Sequence, residues 1–220
     1  MLIQWIINII PYFSFYYLIL LNKTIINENK KDEEKLFYAI EENNIKNVNT
    51  ILKNSIENKK ILKLSKKNKE GFSPLLRAIY YDNIKVVQLL IEYANQQQII
   101  LDLNEKDNYG WNPLFRATDG NNIEMVKFLI EYSKQHQIIL ELNEKDIFGF
   151  YPLETAIYYN NIEMVKLLLE YANQHQIILK YDMKNIEDKP EIKKLLENKK
   201  NKNKNNKKKK KRKVNKYINN

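Results

Sequence analysis

The 220-residue chain has no cysteine, only two histidines, four glycines and five prolines. The absence of cysteine excludes a disulfide scaffold, thiolate metal sites and a cysteine nucleophile. His136 and His175 occupy one position of a repeated pattern, in a polar stretch where the preceding unit has Gln97. No acid clusters beside them, so they read as solvated surface residues and no metal site is expected. Gly71, Gly110 and Gly149 are isolated, which excludes a phosphate-cradling loop. Glu124 and Glu163 recur at the start of predicted helices, where the helix dipole favours acids. No acid pair brackets a substrate pocket. The chain therefore reads as a non-enzyme, with no cofactor, no metal and no small-molecule substrate.

Charge is unevenly placed. The formal net charge is +10, yet residues 199–220 hold 12 Lys and Arg and no acid. The remainder has 25 basic against 27 acidic residues, a net of −2. The basic surplus belongs to one appendage, not to a binding face on the fold. The heavy use of Asn, Lys and Ile resembles AT-rich coding and is read as partly mutational.

What the chain does have is a period. Gly71, Gly110 and Gly149 stand 39 residues apart, as do Pro74, Pro113 and Pro152, and Ala39, Ala78, Ala117 and Ala156. Residues 104–142 and 143–181 are identical at 24 of 39 positions, which points to stacked units too small to fold alone. In one unit, Asp107-Asn108-Tyr109-Gly110 signals a turn in which glycine takes positive φ. Pro113 opens a helix where its missing N–H costs nothing, and Leu114, Ala117 and Thr118 form its inward stripe. Asn121 ends that helix, matched by Asn43, Asp82 and Asn160; Asn and Asp tolerate the left-handed conformation best after glycine. A second helix follows through Ile123, Val126, Leu129 and Ile130.

Gly110-Trp111-Asn112-Pro113-Leu114, then Ala117, then Asn122 through Glu131, resembles an ankyrin repeat, as do 71–91 and 149–169. The resemblance covers roughly 32–198. It implies an all-α, ankyrin-type α-solenoid of stacked helix-turn-helix repeats with short hairpin-like turns. Eight helices in antiparallel pairs are expected between 32 and 181, with a capping helix near 190–198. The expected division is 1–31 as an apolar segment and linker, 32–198 as the repeat domain and 199–220 as a basic tail. Within the repeat domain, 32–67 is a capping repeat, 68–106, 107–145 and 146–184 are full repeats, and 185–198 is a partial cap. The sequence departs from the family pattern in three ways. The usual Thr before Pro is Ser73, Asn112 or Tyr151, and the usual His is Leu76, Phe115 or Glu154, so a weakened turn network is expected. The six extra residues near 95–100, 134–139 and 173–178 imply a longer second helix or an extended loop.

The resemblance also implies a function, that of a non-catalytic scaffold or adaptor for an unidentified protein partner. Partner contacts in this family resemble a stripe of hairpin tips and helix-one ends. By motif these positions hold nine rings: Phe72, Tyr80, Tyr81, Tyr109, Trp111, Phe148, Phe150, Tyr158 and Tyr159. Aromatic rings dominate interface hot spots, which favours a binding face. The alternative is that the rings stack on neighbouring repeats and replace the missing turn network.

The two ends carry separate signals. Residues 2–21 are uncharged and, as a helix, are about 30 Å long, enough to span a bilayer. They read as an uncleaved membrane anchor, with an apolar helix laid on the first repeat as the alternative. Lys23, Lys30 and Lys31 would place the repeats on the cytosolic side. The low-complexity tail, 199–216, is expected to be disordered. Its Lys209-Lys210-Lys211-Arg212-Lys213-Val214 resembles a monopartite nuclear import signal. An importin, nucleic acid or anionic lipid is therefore an alternative partner, and the nucleus an alternative location, beside a plain solvated tail.

Overall fold

The computed structural model describes residues 31–182, 186 and 188–198. Nine helices occur among these residues, with no strand. They are α1 (31–41), α2 (Ile45–Glu57), α3 (Pro74–Tyr80), α4 (Ile84–Gln96), α5 (Pro113–Asp119), α6 (Ile123–Gln135), α7 (Pro152–Tyr158), α8 (Ile162–Gln174) and α9 (190–198). The all-α repeat architecture that the ankyrin resemblance implies is therefore present, and a helix stands at 190–198 where the capping helix is expected. The chain divides into two compact units between Asp102 and Leu103.

In each full repeat a 7-residue helix is followed by a 13-residue helix. Proline begins every short helix. The Asn that precedes every long helix caps it. The side chains of Asn44, Asn83, Asn122 and Asn161 accept the backbone N–H of Asn47, Val86, Met125 and Met164. The residue just before each cap, Asn43, Asp82, Asn121 or Asn160, has φ of 52–55°. Its N–H, and that of the cap, bond back to the two carbonyls that a Schellman stop satisfies, as in Asn43 to Ile40 and Asn44 to Ala39. The Asn-Asn pair thus ends one helix and starts the next. Across repeats the same side chains bond to one another, Asn83 Nδ2 to Asn43 Oδ1 and Asn161 Nδ2 to Asn121 Oδ1. Asparagine at these positions has a structural reason beyond coding bias.

In the first unit, α3 packs on α4 and α2 on α4. Leu75, Leu76, Ala78 and Ile79 meet Val86, Val87, Leu90 and Ala94 in a core from which water is excluded. Each large aliphatic side chain there contributes about 1.5–3 kcal/mol. In the second unit α5 packs on α6 and α7, and α7 on α8. Leu114, Phe115, Ala117, Val126 and Leu129 form its core with Leu153, Ala156, Val165 and Leu168. Leu76 and Phe115, which stand where the family pattern has His, are both buried. Ile192 and Leu196 of α9 are buried as well, as expected of a cap.

The extra residues divide between both expected uses. The long helix runs to Gln96, Gln135 and Gln174, and a second Schellman stop follows at Gln98, Gln137 and Gln176, with φ of 56–57°. A strap then follows in which exposed and buried residues alternate, as in Ile139, Leu140, Glu141 and Leu142. Tyr171 Oη accepts Leu140 N–H at 2.9 Å. Asn104 brackets the same strap, donating to Ile139 O at 2.8 Å and accepting from Glu141 N at 2.9 Å. Asn143 grips Ile178 O and Lys180 N in the same way. In the first unit, Tyr93 Oη accepts Leu62 N–H at 2.8 Å.

The turn network is not uniformly weakened. Asp107 Oδ1 accepts the N–H groups of Tyr109 and Trp111, and Asn68 and Asp146 do the same in their turns. Ser73 and Asn112 still cap their helices, since a hydroxyl and an amide oxygen replace the Thr hydroxyl. Only Tyr151 provides no cap. Glu154 compensates by accepting Tyr151 N–H at 2.9 Å. The turn glycines Gly71, Gly110 and Gly149 have φ of 79–87°, as expected. At Gly110 a Cβ would also meet Lys145 O at 3.3 Å.

Candidate functional site

The hairpin tips and the ends of the short helices present the nine rings singled out above. Seven are exposed: Tyr80, Tyr81, Tyr109, Phe148, Phe150, Tyr158 and Tyr159. Two are not. Phe72 is 2% exposed and lies in the core of the first unit. Trp111 is half-buried, stacked on Phe115 at 5.5 Å, and donates Nε1–H to Asp146 Oδ2 at 3.1 Å. These two rings pack within their own repeats, on Tyr80 and Phe115, rather than stacking on neighbouring ones.

Two arginines, at matching positions of successive repeats, organise the rings. The Arg77 guanidinium lies over Phe72, Tyr80 and Tyr81 at 4.9, 5.5 and 5.1 Å. It is paired with Glu41 at 3.1 Å and Glu70 at 2.7 Å. Rings and carboxylates share one cation, which a planar guanidinium permits because it stacks on rings through its faces while its edge pairs with carboxylates. In the second unit, Arg116 is buried and donates from Nε and a terminal N to Asp107 Oδ2, at 3.0 and 2.6 Å. The Trp111 ring lies 3.6 Å from its guanidinium carbon. Asp107 thus shapes the turn with one oxygen and holds Arg116 with the other.

The fourth repeat has no such arginine. Thr155 stands at that position and is buried. Tyr158 and Tyr159 remain edge to face at 5.4 Å, as Tyr80 and Tyr81 are at 5.3 Å. Beside them is Asp119, at the end of α5. Burial holds the Asp119 carboxyl above its usual range, against the pull of Arg116 and with the help of Asp146. The Tyr159 hydroxyl is also raised, first by burial, then by Asp119 and Tyr158.

Among the described residues no group of three or more His, Asp or Glu could hold a metal ion. His136 and His175 are half-buried, not fully solvated, each packed on the tyrosine one turn earlier at 4.2 and 4.3 Å. A cavity of about 450 Å³ lies elsewhere, between α1 and α2, beside Tyr38, Ala39 and Ile51.

Sequence reasoning located the exposed rings through the repeat register. It missed Arg77, Arg116 and Glu41, although the 39-residue step between the two arginines, broken by Thr155, was a usable signal. The anchor segment 2–21 and the import-like run Lys209–Val214 lie outside the described residues. Among the described residues no helix is long and apolar enough to cross a membrane.

Comparison with known families supplies the context. Residues 36–139 and 96–181 match the family model for ankyrin repeats in three copies. No curated protein matches the chain.

Proposed function

The chain belongs to the ankyrin-repeat family, whose repeats generally mediate protein–protein interaction, and we propose that it is a non-catalytic scaffold that binds a protein partner through its exposed rings. The observation that carries this reading is the exposure of seven of the nine aromatic side chains at hairpin tips and short-helix ends. Rings lose little entropy on binding and provide large contact areas, so leaving them in water favours an interface. Ankyrin-repeat proteins are typically non-catalytic scaffolds.

The uncharged segment 2–21 supports a membrane tether, with the repeats on the cytosolic side. The polybasic run from Lys209 to Lys213 supports an alternative, in which the tail recruits an importin, nucleic acid or anionic lipid. Salt separates these: tail binding to phosphates should fall steeply with salt, whereas ring-mediated binding should not.

The test is affinity capture from cell extract with the full chain and with a Phe148→Ser, Tyr158→Ser variant, both confirmed as folded by thermal melting. The expected result is loss of the captured protein in the variant. Capture that survives removal of the exposed rings rejects the reading.

A further inference from the structure

The fourth repeat has three rings and a carboxylate at the positions that enclose Arg77 in the second, but lacks the guanidinium. Phe150, Tyr158 and Tyr159 lie 78 residues after Phe72, Tyr80 and Tyr81, and Asp119 lies 78 residues after Glu41. Thr155 takes the place of Arg77. The consequences are visible in exposure. Phe72 is 2% exposed beneath Arg77, whereas Phe150 is 44% exposed and makes no ring contact with Tyr158. Tyr158 is 74% exposed against 50% for Tyr80. Asp119 has no hydrogen bond or ion pair, whereas Glu41 is paired at 3.1 Å.

We propose that this cluster takes up an arginine side chain from the bound partner, with Asp119 pairing its guanidinium and Tyr158, Tyr159 and Phe150 lying against its faces. The proposal rests on the interaction role inferred above and names the partner's anchoring residue.

Three observations favour arginine. First, the occupant of the equivalent cluster in this chain is itself a guanidinium, which stacks on rings while pairing with carboxylates. Second, the electrostatics suit a cation. Asp119 has a second acid, Asp146, near it, and the arginine that acts on it, Arg116, is already held by Asp107 at 2.6 Å. Third, Asp119 is half-buried and only Arg116, from a distance, offsets its charge, so a partner cation in direct contact would restore what burial removed. Lysine fits less well, because a strongly hydrated ammonium cannot lie flat between rings.

The chain contains three arginines, Arg77, Arg116 and Arg212. Occupation by Arg212 of the chain's own tail is a competing outcome that the test separates.

The probe is N-acetyl-argininamide, titrated into the full chain with ¹³C-labelled tyrosine rings and followed by NMR, with N-acetyl-lysinamide as control. The expected result is a saturable shift of Tyr158 and Tyr159 and binding at least fivefold tighter than for the lysine compound. Asp119→Asn should weaken it severalfold, and Thr155→Arg should abolish it by filling the cluster from within. If Thr155→Arg does not fold, Asp119→Asn still decides. No saturable shift, equal response to the two probes or indifference to Asp119→Asn overturns the proposal. Binding that appears only in an Arg212→Gln variant overturns it in favour of the tail. If the probe fails while capture still depends on Phe148 and Tyr158, the inference falls and the interaction role stands. Loss of that dependence removes the interaction role itself.

Discussion

The second and fourth repeats are built on one pattern and differ in what sits among their rings. In the second, Arg77 draws Phe72, Tyr80 and Tyr81 together and pairs with Glu41 and Glu70. In the fourth, Thr155 leaves the matching rings in water and Asp119 unpaired. The same register position therefore serves stability in one repeat and leaves a surface open in the other. The shared positions maintain the stack, whereas single exchanges at the short helix decide which faces are satisfied internally.

The largest effect should come from the buried Asp107–Arg116 pair. Asp107→Ala leaves Arg116 buried without its partner and opens the turn, and should cost about 3–5 kcal/mol in urea denaturation. Asp146→Ala removes similar turn bonds but strands no arginine, so it should cost only about 1–3 kcal/mol. Equal costs would mean that the ion pair adds nothing beyond the turn.

Arg77→Thr, which gives the second repeat the residue of the fourth, should cost about 2 kcal/mol in the same assay. It leaves a gap beside Phe72 and two carboxylates without their cation. A neutral result would show that the rings need no guanidinium to pack.

A smaller effect concerns pH. Asp119 has a folded-state pKa raised above its unfolded value, so the folded chain holds its proton more tightly. Stability should therefore decline as pH rises from the usual aspartate range through the raised value. Arg116, Asp146 and Tyr159 face this carboxyl and set the size of the decline. Asp119→Asn should remove that decline in melting temperature and make the chain slightly more stable at neutral pH. A variant with the unaltered slope would assign it to other groups.

The smallest effect lies at the helix stops. Gln137 adopts φ of 56° without the local hydrogen bonding that helps Asn there. Gln137→Gly should stabilise by about 0.5 kcal/mol, the relief of strain exceeding the entropy that glycine adds to the unfolded chain. Asn121→Gly should gain nothing, since asparagine already tolerates that conformation and its side chain accepts from Asn161 Nδ2.

These stops also mark how far the sequence could be read. Asn43, Asp82, Asn121 and Asn160 were legible as helix ends because their residue type signals the left-handed conformation. Gln98, Gln137 and Gln176 adopt the same conformation, but nothing local in glutamine announces it; the strap that follows, tied by Tyr171, Asn104 and Asn143, imposes it. Gly, Pro and Ala at a fixed step revealed the repeats, and Pro190 with Ile192, Leu195 and Leu196 the last helix. The exposed rings followed from that register. The burial of Phe72 and Trp111 did not, since it depends on arginines whose partners lie up to 36 residues away, as Glu41 does from Arg77. The unpaired state of Asp119 emerged only beside Thr155.

The most direct measurement is a double-mutant cycle on the fourth repeat. Thr155→Arg and Asp119→Ala are made singly and together, and their stabilities compared in urea. If the fourth-repeat cluster can hold a guanidinium although Phe148 stands where the second repeat has Glu70, Thr155→Arg should stabilise the chain. That gain should vanish in the Asp119→Ala background, with a coupling of about 1 kcal/mol. A coupling near zero, with Thr155→Arg destabilising in both backgrounds, would contradict the account: the rings of the fourth repeat would then not be a vacated arginine site.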